Sequence, residues 1–185
     1  MNSASSAAFP YVCRPAIGGD APALTALAEL GFARWGGYGE TIFTWSQLSG
    51  VHTWIAETVA GKLVGFVVFG RVQQRPETPP VIDILAVATA AAHQRKGVAR
   101  ALLSVALDEI ARWRIAHSVA WLTVAADNQT GQKFFSAAGF VRRLVETPPY
   151  PNGAESHRMA RPVAPAATLH APPPAVQIWA DPRLG

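Results

Sequence analysis

Gln94-Arg95-Lys96-Gly97-Val98-Ala99 stands between an apolar run at residues 81–89 and an amphipathic run that follows Gly97. The run 81–89 is apolar nearly throughout, as a central strand covered on both faces is. After it, Ala99, Leu102, Leu103, Ala106, Ile110 and Trp113 recur at helical spacing. Arg100, Ser104, Asp108 and Arg112 follow every four residues on the opposite side. The spacing predicts a long helix from about Gly97 to about His117, and residues 119–124 read as another strand. A strand, a long helix and a second strand imply a parallel pair joined by a right-handed crossover.

The turn has a chemistry of its own. Gly97 permits close backbone approach and a tight bend. The N–H groups of Arg95 to Ala99 would point out of the helix start, where the helix dipole adds partial positive charge. Arg95, Lys96 and Arg100 add formal charge. An anion such as a pyrophosphate is stabilised by that arrangement, although a single glycine before a helix is by itself a weak signal.

Working outward, residues 11–15 read as a strand, and Asp20 caps a helix with Pro22 in its first turn. Residues 32–49 form a Gly- and aromatic-rich loop around Trp35, Tyr38 and Phe43, with a short helix at about 41–48. Residues 54–58 and 63–69 make an antiparallel hairpin through Ala60-Gly61-Lys62. Asp127-Asn128 can cap a short helix ending at Gly139, followed by strands at 140–145 and 157–162. The expected organisation is a flexible segment 1–10, one domain 11–161 and a tail 162–185. That tail carries Pro162, Pro165, Pro172, Pro173, Pro174 and Pro182 and is expected to be extended and outside any packed sheet.

Composition narrows the function classes. The chain has 185 residues, half of them hydrophobic, enough for a domain-sized core. Its one cysteine, Cys13, excludes an intrachain disulfide and fits a reducing, cytoplasmic compartment. The formal charge of +4 is spread out rather than gathered in a stripe, which argues against nucleic acid as the main ligand. No apolar run is long enough to span a membrane. His93, His117 and His157 lack metal-ligand spacing, so no metal site is expected.

The segment Gln94 to Ala99 resembles the Q/R-x-x-G-x-G/A motif of the GNAT superfamily, the N-acetyltransferases related to histone acetyltransferases. Three further pieces match in order: Arg14-Pro15 with Gly19-Asp20-Ala21, Val87-Ala88-Thr89 at a strand end, and Asn128 with Phe134-Phe135 and Gly139-Phe140. Together they cover about residues 12–161. The resemblance implies an α/β fold: a mixed, mostly antiparallel sheet with one splayed parallel strand pair and helices on both faces. It implies acetyl-CoA as cosubstrate, with pantetheine along Val87, Ala88 and Thr89, pyrophosphate at Arg95, Lys96, Gly97, Val98 and Ala99, and Gln94 as a further cofactor contact. Asn128 and Phe135 complete the implied cofactor contacts. A primary amine of a small molecule or peptide would attack the thioester directly, and a backbone N–H at Ala88 or Thr89 would polarise its carbonyl.

An alkylamine is unprotonated in roughly one molecule in 2,500 at pH 7, so a base or a desolvating pocket is useful. Asp83 lies on the central strand, eleven residues before Gln94. The histone-type branch places a glutamate base at that spacing, so the resemblance implies Asp83 as base. The plainer alternative is a carboxylate facing solvent or paired with an arginine. Glu57, Glu40 and His52 are placed less well. The ribosomal-protein N-terminal alanine acetyltransferases carry a glutamate where this chain has Thr123. Many members have a tyrosine at the position of Phe135, as acid for the departing thiolate. Here that hydroxyl is missing; water, Tyr38 or Tyr150 are the available substitutes, and the plainer and favoured reading is that Phe135 simply packs on the pantetheine. Gly131 admits either close cofactor approach or plain tolerance at a helix start. Alternative functions are a regulatory acyl-CoA-binding module and a toxin acting on aminoacyl-tRNA. The assembly, monomer or homodimer, stays open.

Overall fold

The computed structural model describes residues 9–73, 77–145, 147 and 149–177. In chain order the elements are β1 (Tyr11–Pro15), α1 (Ala21–Phe32), α2 (Gly39–Ser46), β2 (Val51–Thr58), β3 (Leu63–Gln73) and β4 (Val81–Thr89). Then come α3 (Val98–Arg112), β5 (Val119–Ala125), α4 (Gln129–Ala137), β6 (Val141–Arg143), β7 (Ser156–Pro162) and β8 (Val176–Gln177). The strands form one sheet in the order β1-β2-β3-β4-β5-β7-β6, antiparallel except for β4 beside β5 and the short β8 beside β3. The expected mixed sheet with a parallel pair at its centre is therefore present.

Alternation along the strands sorts the core onto two faces. On one face Phe69, Ile82, Ile84, Leu122 and Met159 pack against Leu102, Ala106 and Ile110 of α3, with Phe134 and Phe135 of α4 beside them. On the other, Ile55, Phe66, Val68, Ala86 and Ala88 pack against Leu24, Leu27 and Ala28 of α1 and Ile42 and Trp45 of α2. Gly65 lets α3 settle low on the sheet. A Cβ there would meet Val98 Cγ1 at 2.8 Å and the Ala88 carbonyl and Leu102 Cδ1 at 3.1 Å.

Three expectations need correction. Helix α3 stops at Arg112, not near His117, because Trp113 turns to extended backbone and drops its indole into the core beside Phe69 and His52. The tail is extended, but its described part is not separate from the sheet. Val176 and Gln177 pair with Val72 and Gln73, where β3 runs past the last β2 partner at Gly70. On the way, Ala166 N and His170 N donate to the carbonyls of Ala111 and Arg112, satisfying helix-end acceptors that water would otherwise hold. Asp20 precedes α1 but does not cap it. Its carboxylate accepts two hydrogen bonds from Arg14 and one from the Ile17 N–H. Pro182 and residues 1–8 lie outside the described residues.

Candidate active site

The parallel ladder between β4 and β5 is short: Ile82 with Ala120, Asp83 with Trp121, and Ile84 with Leu122. Beyond it the two strands part. The register of β3 against β4 shifts between Val68 and Phe69, leaving Leu85 as an extra residue on β4. Such a bulge bends the strand that carries it.

Hydrogen-bond alternation fixes which backbone groups face the gap. Ala90 N donates to Val64 O on β3. Counting back by twos, Ala88 and Ala86 also face β3, whereas Val87 and Thr89 turn their N–H and C=O toward β5. On β5, Ser118 accepts from Val163 and Ala126 donates to Glu155. Thr123 and Ala125 therefore face β4. Between Val87 and Thr89 on one side and Thr123 on the other there is an open strand edge, where an extended polar chain can bond as a strand does. Of the three residues expected along the pantetheine, Val87 and Thr89 present their backbone to this gap and Ala88 does not.

The α3 turn lies at the end of the same strand. Gly97 is left-handed at φ 86°, and so is Arg95 at φ 62°. A non-glycine residue there costs about 1–3 kcal/mol and persists where the surroundings impose it, as at ligand clamps. Successive backbone N–H groups around such a turn make a concave anion site. Among the described residues no side chain caps α3, and its first-turn amides have no helical partner. Gln94 Nε2 donates to Thr89 O at 3.2 Å, tying the turn to the strand end. Arg95, Lys96 and Arg100 are exposed around it, and Phe9 lies against the outer side of Gly97.

On α4, Asn128 Oδ1 accepts from Gly131 N at 2.8 Å. A Cβ on Gly131 would lie 2.6 Å from the Asn128 amide nitrogen. The glycine is thus accounted for by this cap. Phe135 packs between Phe134 and Phe140, with ring centroids at 5.0 Å and 6.0 Å for the neighbouring pairs.

The opposite face of the gap holds a buried ion pair. Arg158 on β7 donates to Asp83 Oδ1 at 3.1 Å and Oδ2 at 2.7 Å, and to Thr123 Oγ1 at 2.9 Å. Its guanidinium also lies 5.5 Å from the Trp121 ring centroid. Nothing in the spacing of residues marks Arg158, because its partner is distant in the chain and reaches it only through strand pairing. The other candidates considered lie elsewhere: Glu57 is paired with Arg14, Glu40 is exposed, and His52 stacks on Phe69 and packs at a tilt against Trp113.

Near Thr123 on the same side of the gap, three connections meet. Arg34 pairs with Asp127 at 2.7 Å, and Trp35 Nε1 donates to the same carboxylate at 2.9 Å. Asn152 Nδ2 donates to Arg34 O at 2.9 Å. Tyr150 packs against Trp35 and Tyr38 with ring centroids at 6.3 and 5.8 Å, and its hydroxyl lies 3.5 Å from Thr123 O. Burial pushes the Tyr38 phenol up to about 12 and pushes Tyr150 up as well, the latter helped by Tyr38 and Asp127. Of the loop aromatics, Trp45 is core and Phe43 half-buried.

The family model for the acetyltransferase (GNAT) family matches residues 23–140, more than half of the chain and all of this gap. The chain belongs to the GNAT acetyltransferase family. It is an acyltransferase, and acetyl-CoA is its cosubstrate. Similar GNAT-fold structures include the ribosomal-protein-S18-alanine N-acetyltransferase of Escherichia coli, at 22% identity and TM-score 0.67, covering 85% of this chain and 96% of that one. Ard1 from Thermoplasma volcanium has 22% identity, TM-score 0.68 and coverages of 83% and 98%. Salmonella typhimurium yncA, solved with its cofactor acetyl-CoA, has 21% identity, TM-score 0.67 and coverages of 88% and 99%. At these identities the likeness establishes the fold. No curated protein matches the chain. Among the described residues no His, Cys, Asp and Glu cluster could hold a metal ion, and no helix is long and apolar enough to cross a membrane.

Proposed function

We propose that this GNAT protein moves the acetyl group of acetyl-CoA to a primary amine of a small molecule or peptide, by direct attack in a ternary complex. The observation that carries this reading is the open edge of β4 at Val87 and Thr89, continuous with the uncapped, left-handed turn at Arg95–Gly97. A pantetheine arm fits the first as a strand and a pyrophosphate fits the second as an anion. Bound acetyl-CoA supplies an activated acyl thioester. The Thr89 and Val87 backbones, not Ala88, are placed to hold the arm and to donate to the acyl oxygen.

The acceptor arrives from the other side of the gap, between Trp35, Tyr38 and Tyr150. That aromatic wall lowers the local polarity and favours the uncharged amine. Asp83 enters this reading as the charge partner of Arg158, since accepting a proton would mean releasing a bidentate hydrogen bond. Amine deprotonation is then left to solvent and desolvation. Cys13 is no acyl carrier, because burial pushes its thiol up and away from the thiolate. The single cysteine supports a reducing, cytoplasmic setting for this reaction.

The test is calorimetric titration of coenzyme A into wild type and Gly97→Asp, with thiol release from acetyl-CoA followed over a panel of peptide, polyamine and amino-sugar amines. At φ 86° the aspartate adds backbone strain and a negative charge beside the amides. Loss of binding by at least about tenfold is expected, or about 1.4 kcal/mol. A folded Gly97→Asp protein that binds coenzyme A as tightly as wild type overturns the reading.

A further inference from the structure

We propose that Tyr150 is a catalytic residue, giving its hydroxyl proton to the departing coenzyme A sulfur in place of the hydroxyl absent at Phe135. The assignment rests on the acetyl-transfer reading above. Helix α4 offers no phenol to the gap: Phe134 and Phe135 pack against each other, and Phe135 against Phe140. A hydroxyl arrives from the opposite side instead.

Tyr150 lies in the connection before β7. Its backbone is fixed by a tight turn, with Tyr150 N donating to Ala154 O and Gly153 N donating to Tyr150 O. Trp35 and Tyr38 hold the ring, and the hydroxyl reaches Thr123 O. That carbonyl is turned toward β4, one residue past the last β4–β5 pair at Ile84 and Leu122. The phenol therefore sits at the point where the strands part. At 3.5 Å its contact with Thr123 O is at the outer limit of hydrogen bonding, so redirecting the proton costs little. Burial pushes the phenol above its ordinary value, so its proton leaves only as charge develops on sulfur and the proton from nitrogen replaces it. Tyr38 is the weaker candidate, because its ring packs with Phe32 and Trp45 beneath α1 and α2.

The step balances without an added reagent. The amine nitrogen forms the C–N bond as the C–S bond breaks, and the electron pair of that bond stays on sulfur. Sulfur takes the Tyr150 proton, and the proton lost from nitrogen returns to the Tyr150 oxygen through water. The groups facing Tyr150 are Tyr38 on the α1–α2 connection, Asp127 between β5 and α4, and Arg158 on β7 by way of Thr123. Asp127 is itself paired with Arg34.

Tyr150→Phe tests the assignment in the full chain and keeps the ring in place. Three quantities are compared with wild type: coenzyme A affinity by calorimetry, titration of the bound coenzyme A thiol by its ultraviolet thiolate absorption, and kcat with acetyl-CoA. We expect affinity within about twofold, a bound thiol that ionises at higher pH once the donor is gone, and kcat lower by about 10²–10⁴. Tyr38→Phe should leave the thiol titration where it is in wild type. An unchanged thiol titration in Tyr150→Phe overturns the assignment, even where its melting temperature or rate has moved. Wild-type protein that binds no coenzyme A overturns the acetyl-transfer reading itself, which is a separate failure.

Discussion

Replacing Asp83 by asparagine separates two roles for this carboxylate. It is 4% exposed at the side chain and Arg158 is 9% exposed, with a closest contact of 2.7 Å. At about 4 Å between charge centres and an effective dielectric of about 20, the attraction is about 4 kcal/mol. Asparagine keeps the shape but removes the charge, and its amide turns N–H groups toward a guanidinium that can only donate. Breaking a buried pair from one side costs about 3–5 kcal/mol, because the remaining charge stays buried. For a domain of this size each kcal/mol lowers the melting temperature by about 2–4 °C, so the drop should be about 6–20 °C. Circular dichroism melts measure it. A double variant, Asp83→Leu with Arg158→Met, should recover most of the loss, because an apolar pair replaces an ionic one. The pH–rate profile of folded Asp83→Asn should keep the wild-type shape over about pH 6–9, around the neutral region where a base would titrate. The charge-partner role is refuted by a melt within about 2 °C of wild type, well under the 6 °C floor, combined with activity that is deficient near neutral pH and recovers at high pH. That pair of results would make Asp83 the base.

Two further outcomes follow from packing and burial. Gly65→Ala places a methyl against Val98, Leu102 and the Ala88 carbonyl, so it should destabilise by about 1–3 kcal/mol and, by lifting the first turn of α3, weaken coenzyme A binding; denaturant unfolding and calorimetry check both. Burial holds His52 below its ordinary range, against the pull of Glu109, with His170 adding to the depression. A depressed folded-state value means that its contribution to stability is complete above the unfolded value of about 6.5 and is lost as pH falls through the lower folded value. His52→Phe should flatten that part of a stability–pH curve, while NMR titration of wild-type His52 should give a midpoint below 6.5.

Features with a local cause are legible in the spacing of residues along the chain. The 3.6-residue spacing of Leu102, Leu103, Ala106 and Ile110 specifies α3, and β4 and β5 follow from apolar runs bounded by turns. Gly97 marks the left-handed turn because glycine carries no penalty there, and Asn128 marks a cap because its oxygen meets an amide three residues on. Features that depend on pairing between distant segments emerge only in the folded chain. Arg158 finds Asp83, and Tyr150 finds Thr123, only because β7 lies antiparallel beside β5 in one register. The bulge at Leu85 that opens the gap is a mismatch between β3 and β4, so neither strand alone encodes it in a form that spacing reveals. The prolines of the tail reveal an extended chain but not its seat on α3 and β3, which was set by unfilled carbonyls at the helix end and an uncovered strand edge. Side-chain spacing records which face of an element is buried, and it carries no record of which partner will be there.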